Sequence, residues 1–307
     1  MMTTMTMSTG RPPAITGIRE TANSGLSGTT PSTYARRLSR LLELRGAVPV
    51  PFPTVVVEPT PSTLAAIRPY LLPGALDSFA AIAFTSRIGI SSFALALEEA
   101  PPPPAPPLSG SKDEPLVIAA LGKDAEVLRE GDLLSKLCRS PSMVKILVPE
   151  IASPAELVNS LGDGFGRMVL CPVPTVVDLR EPPVIPEFLN HLKAAGWVVV
   201  RVSAYETRWA GPGCVAEMVR TEIGDSPDAI VFTSSAEVEG LVKGLEAAGC
   251  DWGTMRRRWP EMLVAAHGPV TAEGVERFGI GVDVVGASFD SFDGVLDALA
   301  LKFLDQK

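Results

Sequence analysis

The chain has 307 residues, 46% of them hydrophobic and 20% charged, and a formal net charge of -8. That length suits two ordinary domains with real cores, and the acidic balance argues against a nucleic-acid partner, which calls for a basic stripe. Two histidines, His191 and His267, and four scattered cysteines, Cys138, Cys171, Cys214 and Cys250, argue against a clustered metal site and a Ser-His-Asp triad.

Met1 to Pro13 is rich in Thr and Met and reads as a disordered tail. Ala14 to Ile18 reads as a short first strand ending at Arg19, and residues 21–31 as a polar loop. Ser32 caps a helix to Arg45, stopped by Gly46. Ala47 to Val57 is extended but carries Pro49, Pro51 and Pro53, so it reads as an edge or a linker. A helix over about 62–72 leads to the strand Phe79-Ala80-Ala81-Ile82-Ala83-Phe84, the turn Thr85-Ser86 and an apolar helix. Residues 101–107 open a proline-rich surface spacer that ends near Pro115. Strands follow at 117–121, 144–148, 168–171 and 197–202, with helices near 153–161 and 184–195. β-branched runs alternating with amphipathic helices indicate a parallel sheet covered on both faces. Residues 172–183 read as a loop, and Ser203 to Arg208 as a junction. The strand Asp228 to Phe232 then runs into Thr233-Ser234-Ser235 and a helix, followed by Leu263 to Ala266 and Gly268. A strand at 282–285 and a helix from Ser291 close the chain.

One sentence is therefore written twice: strand, hydroxyl turn, helix, strand, Gly, helix. The repeat predicts two related α/β domains. Neither chain end is large enough alone, so residues 14–50 join 208–307 as one domain, 54–204 form the other, and the chain crosses twice. In such folds ligands sit at the carboxyl ends of the strands, where both turns fall. Free amides and a positive dipole at a helix start favour carboxylates or phosphates. The plainer reading of Ser234-Ser235-Ala236-Glu237 is a capping box. Gly268 to Thr271 offers a third cradle. Tyr205, a neutral phenol at pH 7, is the acid candidate at the junction, and Arg19, Arg87 and Arg208 are candidate partners for carboxylates.

The two Phe-Thr-Ser turns, the Tyr205-Glu206-Thr207 segment, the Gly268-Pro269-Val270-Thr271-Ala272 turn and the element order over about 14–305 together resemble the uroporphyrinogen-III synthase family. The resemblance implies two flavodoxin-like parallel-sheet domains joined by a two-stranded linker, the first discontinuous. It implies cyclisation of hydroxymethylbilane, an octacarboxylate, with inversion of ring D and loss of water, without cofactor or metal. Tyr205 then takes the catalytic place. Thr85, Ser86, Arg87, Gly122, Lys123, Thr233, Ser234, Ser235, Gly268, Thr271 and Arg19 take substrate-binding places. Gly122-Lys123-Asp124-Ala125 departs from the family turn by lacking its threonine. The expectation is a monomer, with possible handover from hydroxymethylbilane synthase and no membrane or nucleic-acid partner. The compartment is the cytoplasm, or the plastid in a photosynthetic eukaryote, as no clear targeting peptide is read. The alternative is a non-catalytic two-domain binding or regulatory protein for an anionic tetrapyrrole-like ligand.

Overall fold

A computed structural model describes residues 2–7, 33–99, 105–110, 114–220, 227–287 and 291–305. The order begins β1 (Met2–Met7), α1 (Thr33–Leu44), β2 (Ala47–Phe52), β3 (Val55–Glu58), α2 (Pro61–Ile67), β4 (Phe79–Phe84), α3 (Arg87–Glu99) and β5 (Leu116–Ala120). It continues α4 (Asp124–Glu130), α5 (Leu133–Leu137), β6 (Val144–Leu147), α6 (Pro154–Leu161), β7 (Met168–Val177), α7 (Val184–Ala194) and β8 (Val198–Trp209). It ends α8 (Ala216–Arg220), β9 (Ala229–Phe232), α9 (Ser235–Ala247), α10 (Trp252–Arg258), β10 (Leu263–Ala266), α11 (Pro269–Glu276), β11 (Val284–Val285) and α12 (Asp293–Asp305). Two compact units result. One joins Met1–Val56 to Trp209–Lys307, and the other is Val57–Arg208. The chain passes from one to the other within β3 and returns at the end of β8.

The second unit holds a sheet in the order β3-β8-β7-β4-β5-β6. The strands from β8 to β6 pair in parallel. Starting at β4 the chain winds outward through β5 and β6, then returns to place β7 and β8 on the other side. The winding reverses between β4 and β7, the kind of place where a crevice opens at the carboxyl ends of strands. Alternation sets the two faces of the sheet. Ile82, Phe84, Ile118 and Leu170 pack with residues of α2, α3, α4 and α5. Ala81, Ala83, Val169 and Cys171 pack with residues of α6 and α7.

The first unit repeats the plan on a sheet ordered β11-β10-β9-β1-β2. Its β9, β10 and β11 are parallel, and β1 is antiparallel to both neighbours. Ile230, Phe232 and Val264 pack toward α9, α10 and α11. Ala229, Val231 and Ala265 pack toward α1 and α12.

Several expectations change. Met2–Met7, expected as a disordered tail, is a strand in register with β2 and β9, as the threonines at 3, 4 and 6 favour. The strand expected at 14–18, the loop at 21–31 and the cap at Ser32 lie outside the described residues. β7 runs on to Val177 through Pro172 and Pro174, where a loop was expected. The reason is local: pairing with β4 ends at Leu170, so beyond it, among the described residues, β7 pairs only with β8, and the register shifts at Val173/Pro174. Proline is tolerated at such an edge and bulge. β8 likewise stays extended through 203–208 as one strand of 12 residues, not a junction after a shorter strand. The proline spacer is described only from residue 105. Within it the Asp77 carboxylate accepts from the amides of Ser109 and Gly110, each at 3.0 Å.

Candidate functional site

In the second unit β4 ends at Phe84 opposite Ala120 of β5. The chain then turns at Thr85-Ser86 into α3. Ser86 caps this helix, its Oγ accepting from the Gly89 amide at 3.3 Å. The same oxygen lies 2.9 Å from the Tyr205 hydroxyl. Tyr205 enters from β8, opposite Pro174 of β7, and is 6% exposed, packed into the apolar cluster around Phe84. Burial pushes its phenol up to about 12. The Ser86 hydrogen bond pulls it down, and the Asp124 charge adds to the upward push. A phenol in that state keeps its proton at neutral pH and can donate it.

The next charges come from the turn after β5. Gly122 adopts a φ of +43°, the left-handed region open to glycine. Lys123 is exposed. Arg87, at the first helical position of α3, donates through Nη2 to the Lys123 carbonyl at 3.2 Å and through Nε to Asp124 Oδ1 at 3.5 Å. Burial raises the Asp124 carboxyl above the ordinary carboxylate range, against the lowering effect of Arg87.

In the first unit the same strand and turn lead into α9, with Phe232 opposite Ala266 of β10. Here the turn is occupied by its own chain. The buried Glu237 carboxylate accepts from the Thr233 amide at 2.8 Å, the Thr233 hydroxyl at 2.7 Å and the Ser234 amide at 3.3 Å. Thr54 Oγ1 donates to the Glu237 carbonyl at 2.8 Å, tying the segment before β3 to the same helix. Gly268 starts α11 with extended backbone. Thr271 is buried and donates to the Thr233 carbonyl at 3.4 Å. Ser235 is half-buried and faces Gly274 so closely that a Cβ there would come within 2.3 Å of the Ser235 Cβ. The start of α9 is therefore packed on α11.

The structure thus brings Ser86, Tyr205, Arg87, Gly122 and Lys123 together in one unit, and Thr233, Ser234, Ser235, Gly268 and Thr271 in the other. Thr85 sits half-buried between Phe84 and Ser86. Arg19 lies outside the described residues. Arg208 pairs with Glu58 at 2.6 Å at the end of β8. Two carboxylates went unassigned in the sequence. Glu237 was visible as the fourth residue of the capping box. Asp124 left no signal beyond its place in the irregular turn. His267 is buried against Phe292, with Nε2 3.2 Å from the Ser291 carbonyl. Burial pushes the Cys171 thiol up to about 12, so it is no nucleophile at neutral pH. Among the described residues no group of three or more His, Cys, Asp or Glu could hold a metal ion, and no helix is long and apolar enough to cross a membrane. A cavity of about 310 Å³ lined by Ser78, Lys145, Arg167 and Trp197 lies at the amino ends of β4 to β7, the opposite end of the sheet from Ser86.

Solved structures resemble this chain in fold. A crystal structure of a mutant uroporphyrinogen III synthase from the extreme thermophile Thermus thermophilus matches with a TM-score of 0.52 at 18% identity, covering 88% of this chain and 95% of that one. Uroporphyrinogen-III synthetase from Helicobacter pylori matches with a TM-score of 0.44 at 15% identity, covering 81% and 91%. Among curated protein sequences none matches. At 18% identity the Thermus structure speaks for the fold alone. The sequence itself matches the family model described as uroporphyrinogen-III synthase HemD over residues 36–295. That span holds both hydroxyl turns, Tyr205 and the Gly268 turn, and the chain belongs to the uroporphyrinogen-III synthase family, whose members are cyclising lyases acting on hydroxymethylbilane.

Proposed function

We propose that Tyr205 is the acid of the cyclisation and that the Thr85-Ser86 turn, Arg87 and Lys123 receive substrate carboxylates beside it. The observation that carries this reading is the 2.9 Å contact between the Tyr205 hydroxyl and Ser86 Oγ at the start of α3. It fixes a neutral phenol at the mouth of a helix start that favours anions. The hydroxyl group leaves hydroxymethylbilane by C–O cleavage, pushed by the electron pair of the pyrrole nitrogen. Tyr205 gives its proton to the departing oxygen, which leaves as water. With Ser86 donating to the phenol oxygen, the Tyr205 proton is free to point at the leaving group, and the resulting phenolate is held by the same hydrogen bond until it regains a proton. Such help contributes about 10²–10⁴ in rate. Choosing the substituted carbon of the last ring, which inverts it, is a positioning task for the protein as a whole.

In the first unit the α11 start at Gly268 and Thr271, with Ser235, is the proposed place for further carboxylates. Thr233 and Ser234 spend their amides, and Thr233 its hydroxyl, on Glu237, so they shape the turn. We propose further that the protein acts as a monomer that takes hydroxymethylbilane from hydroxymethylbilane synthase, in the cytoplasm or a plastid.

A coupled assay tests the reaction. Hydroxymethylbilane is generated in place, the porphyrinogens are oxidised, and the type I and type III isomers are separated. Type III above the no-protein control is expected. Type I alone, at the spontaneous rate, would leave a tetrapyrrole-binding protein without the chemistry.

A further inference from the structure

The Arg87 guanidinium stands at the start of α3 beside Ser86, yet its charge is already engaged. Nε reaches Asp124 Oδ1 at 3.5 Å and Nη2 reaches the Lys123 carbonyl at 3.2 Å. Neither side chain is sealed away: Arg87 is 43% exposed and Asp124 31%. The corresponding place in the first unit holds Ser235 against Gly274, two uncharged residues. Arg87 and Asp124 are therefore a feature of one turn only. The same turn carries exposed Lys123 and exposed Glu126. Asp124 is also close enough to Tyr205 for its charge to disfavour the phenolate.

Resting on the synthase reading, we infer that Asp124 is an internal stand-in for a substrate carboxylate, holding Arg87 until the substrate takes its place. A guanidinium has five N–H donors in a planar fork and binds a carboxylate best with two of them in parallel. The single 3.5 Å contact to Asp124 is a poor version of that geometry. A substrate carboxylate arriving at Ser86 can engage the fork fully, and it must compete with Asp124 to do so. Asp124 thus weakens binding by a small, defined factor. In return it keeps the cation over the turn rather than loose in water. Asp124 is a positioning residue here, since it acts through Arg87 and touches no reacting atom.

The competition has a direction that a structural role lacks. Asp124→Asn keeps the shape and removes the charge. An exposed ion pair of this kind is worth about 1.5- to 5-fold in an equilibrium constant. The KM of Asp124→Asn should therefore fall about 1.5- to 5-fold. Arg87→Ala should raise KM, and adding Asp124→Asn to Arg87→Ala should change it no further. Binding of uroporphyrin I, an octacarboxylate, followed by its fluorescence, gives the same comparison in Kd without turnover. If the wild type makes no type III isomer but Asp124→Asn tightens the porphyrin, the synthase reading fails and the competition stands. A KM and a Kd that are unchanged or raised in Asp124→Asn, with a melting curve like the wild type, would overturn the inference. Should Asp124→Asn fold poorly, Asp124→Ser makes the same test with a smaller side chain.

Discussion

The Thr85-Ser86 turn of the second unit and the Thr233-Ser234 turn of the first share a strand, a hydroxyl cap and a parallel neighbour, yet only one is filled by its own chain. The residue three past the cap decides it. In the first unit that residue is Glu237, whose carboxylate takes two amides and a hydroxyl. In the second it is Gly89, which has no side chain to reach back, and Ser86 turns instead to Tyr205. Among the described residues no carboxylate caps the Thr85-Ser86 turn from within α3. One anion-favouring helix start is thus capped by its own carboxylate, and its twin holds the Ser86–Tyr205 hydroxyl pair instead. Repeating a sequence phrase reproduces topology, while a single position within the phrase assigns the use.

The largest expected effect falls on the side that carries Tyr205. Tyr205→Phe keeps the ring in its apolar site and removes the proton donor. Its kcat should fall about 100-fold without vanishing, because the pyrrole nitrogen still expels the hydroxyl. The pH behaviour follows from the raised phenol. In the fold the proton is held to about 12 against an ordinary 10.0. The folded state thus binds the proton more tightly, and the stability this brings is complete below about pH 10 and is lost as pH rises toward about 12. Wild-type protein should weaken in urea over that window by on the order of 2–3 kcal/mol, and Tyr205→Phe should not show that loss. Equal turnover in wild type and Tyr205→Phe would remove the residue from the mechanism.

The first unit should respond in stability instead. Glu237→Ala leaves the Thr233 and Ser234 amides and the Thr233 hydroxyl without their acceptor in a largely buried turn. Unfolding should become easier by about 2–4 kcal/mol, read as a fall in the urea midpoint, while kcat per folded molecule stays near wild type. A large loss of kcat with an unchanged midpoint would mean that this turn is as chemical as its twin, and the contrast between them would collapse.

Much of this was legible in the sequence because it is written in periods. Unbroken apolar runs at Phe79–Phe84 and Ala229–Phe232 mark strands buried on both faces, and their repetition predicts two α/β bodies. Tyr205 was legible as a candidate but not as a buried residue. Its partner Ser86 lies 119 positions away, and only the parallel pairing of β7 with β8 carries Tyr205 to the end of β4. The extension of β7 was hidden by Pro172 and Pro174, which argue against a strand until one sees that β4 has already ended beside them. Asp124 could not be read at all. Its role depends on Arg87, and the approach of two loop ends across neighbouring strands leaves no local pattern. Glu237 was in plain view, yet a capping box does not say whether its turn remains open to a ligand.

The smallest effect tests the glycine that leaves the second turn open. Gly89 is buried in the first turn of α3, with no positive φ to require glycine. A Cβ built there would meet the Pro172 carbonyl and Ser86 Oγ at 3.4 Å and Phe84 Cδ1 at 3.6 Å, ordinary contacts. Alanine therefore fits, and it removes the backbone freedom that glycine gives the unfolded chain. Gly89→Ala should stabilise the protein by about 0.5–1 kcal/mol, seen as a small rise in the urea midpoint. Because a methyl group accepts no hydrogen bond, the turn stays open and KM should hold. If this methyl instead raises KM as strongly as removing Arg87, then the space beside Ser86, rather than the missing carboxylate, is what distinguishes this turn from its twin.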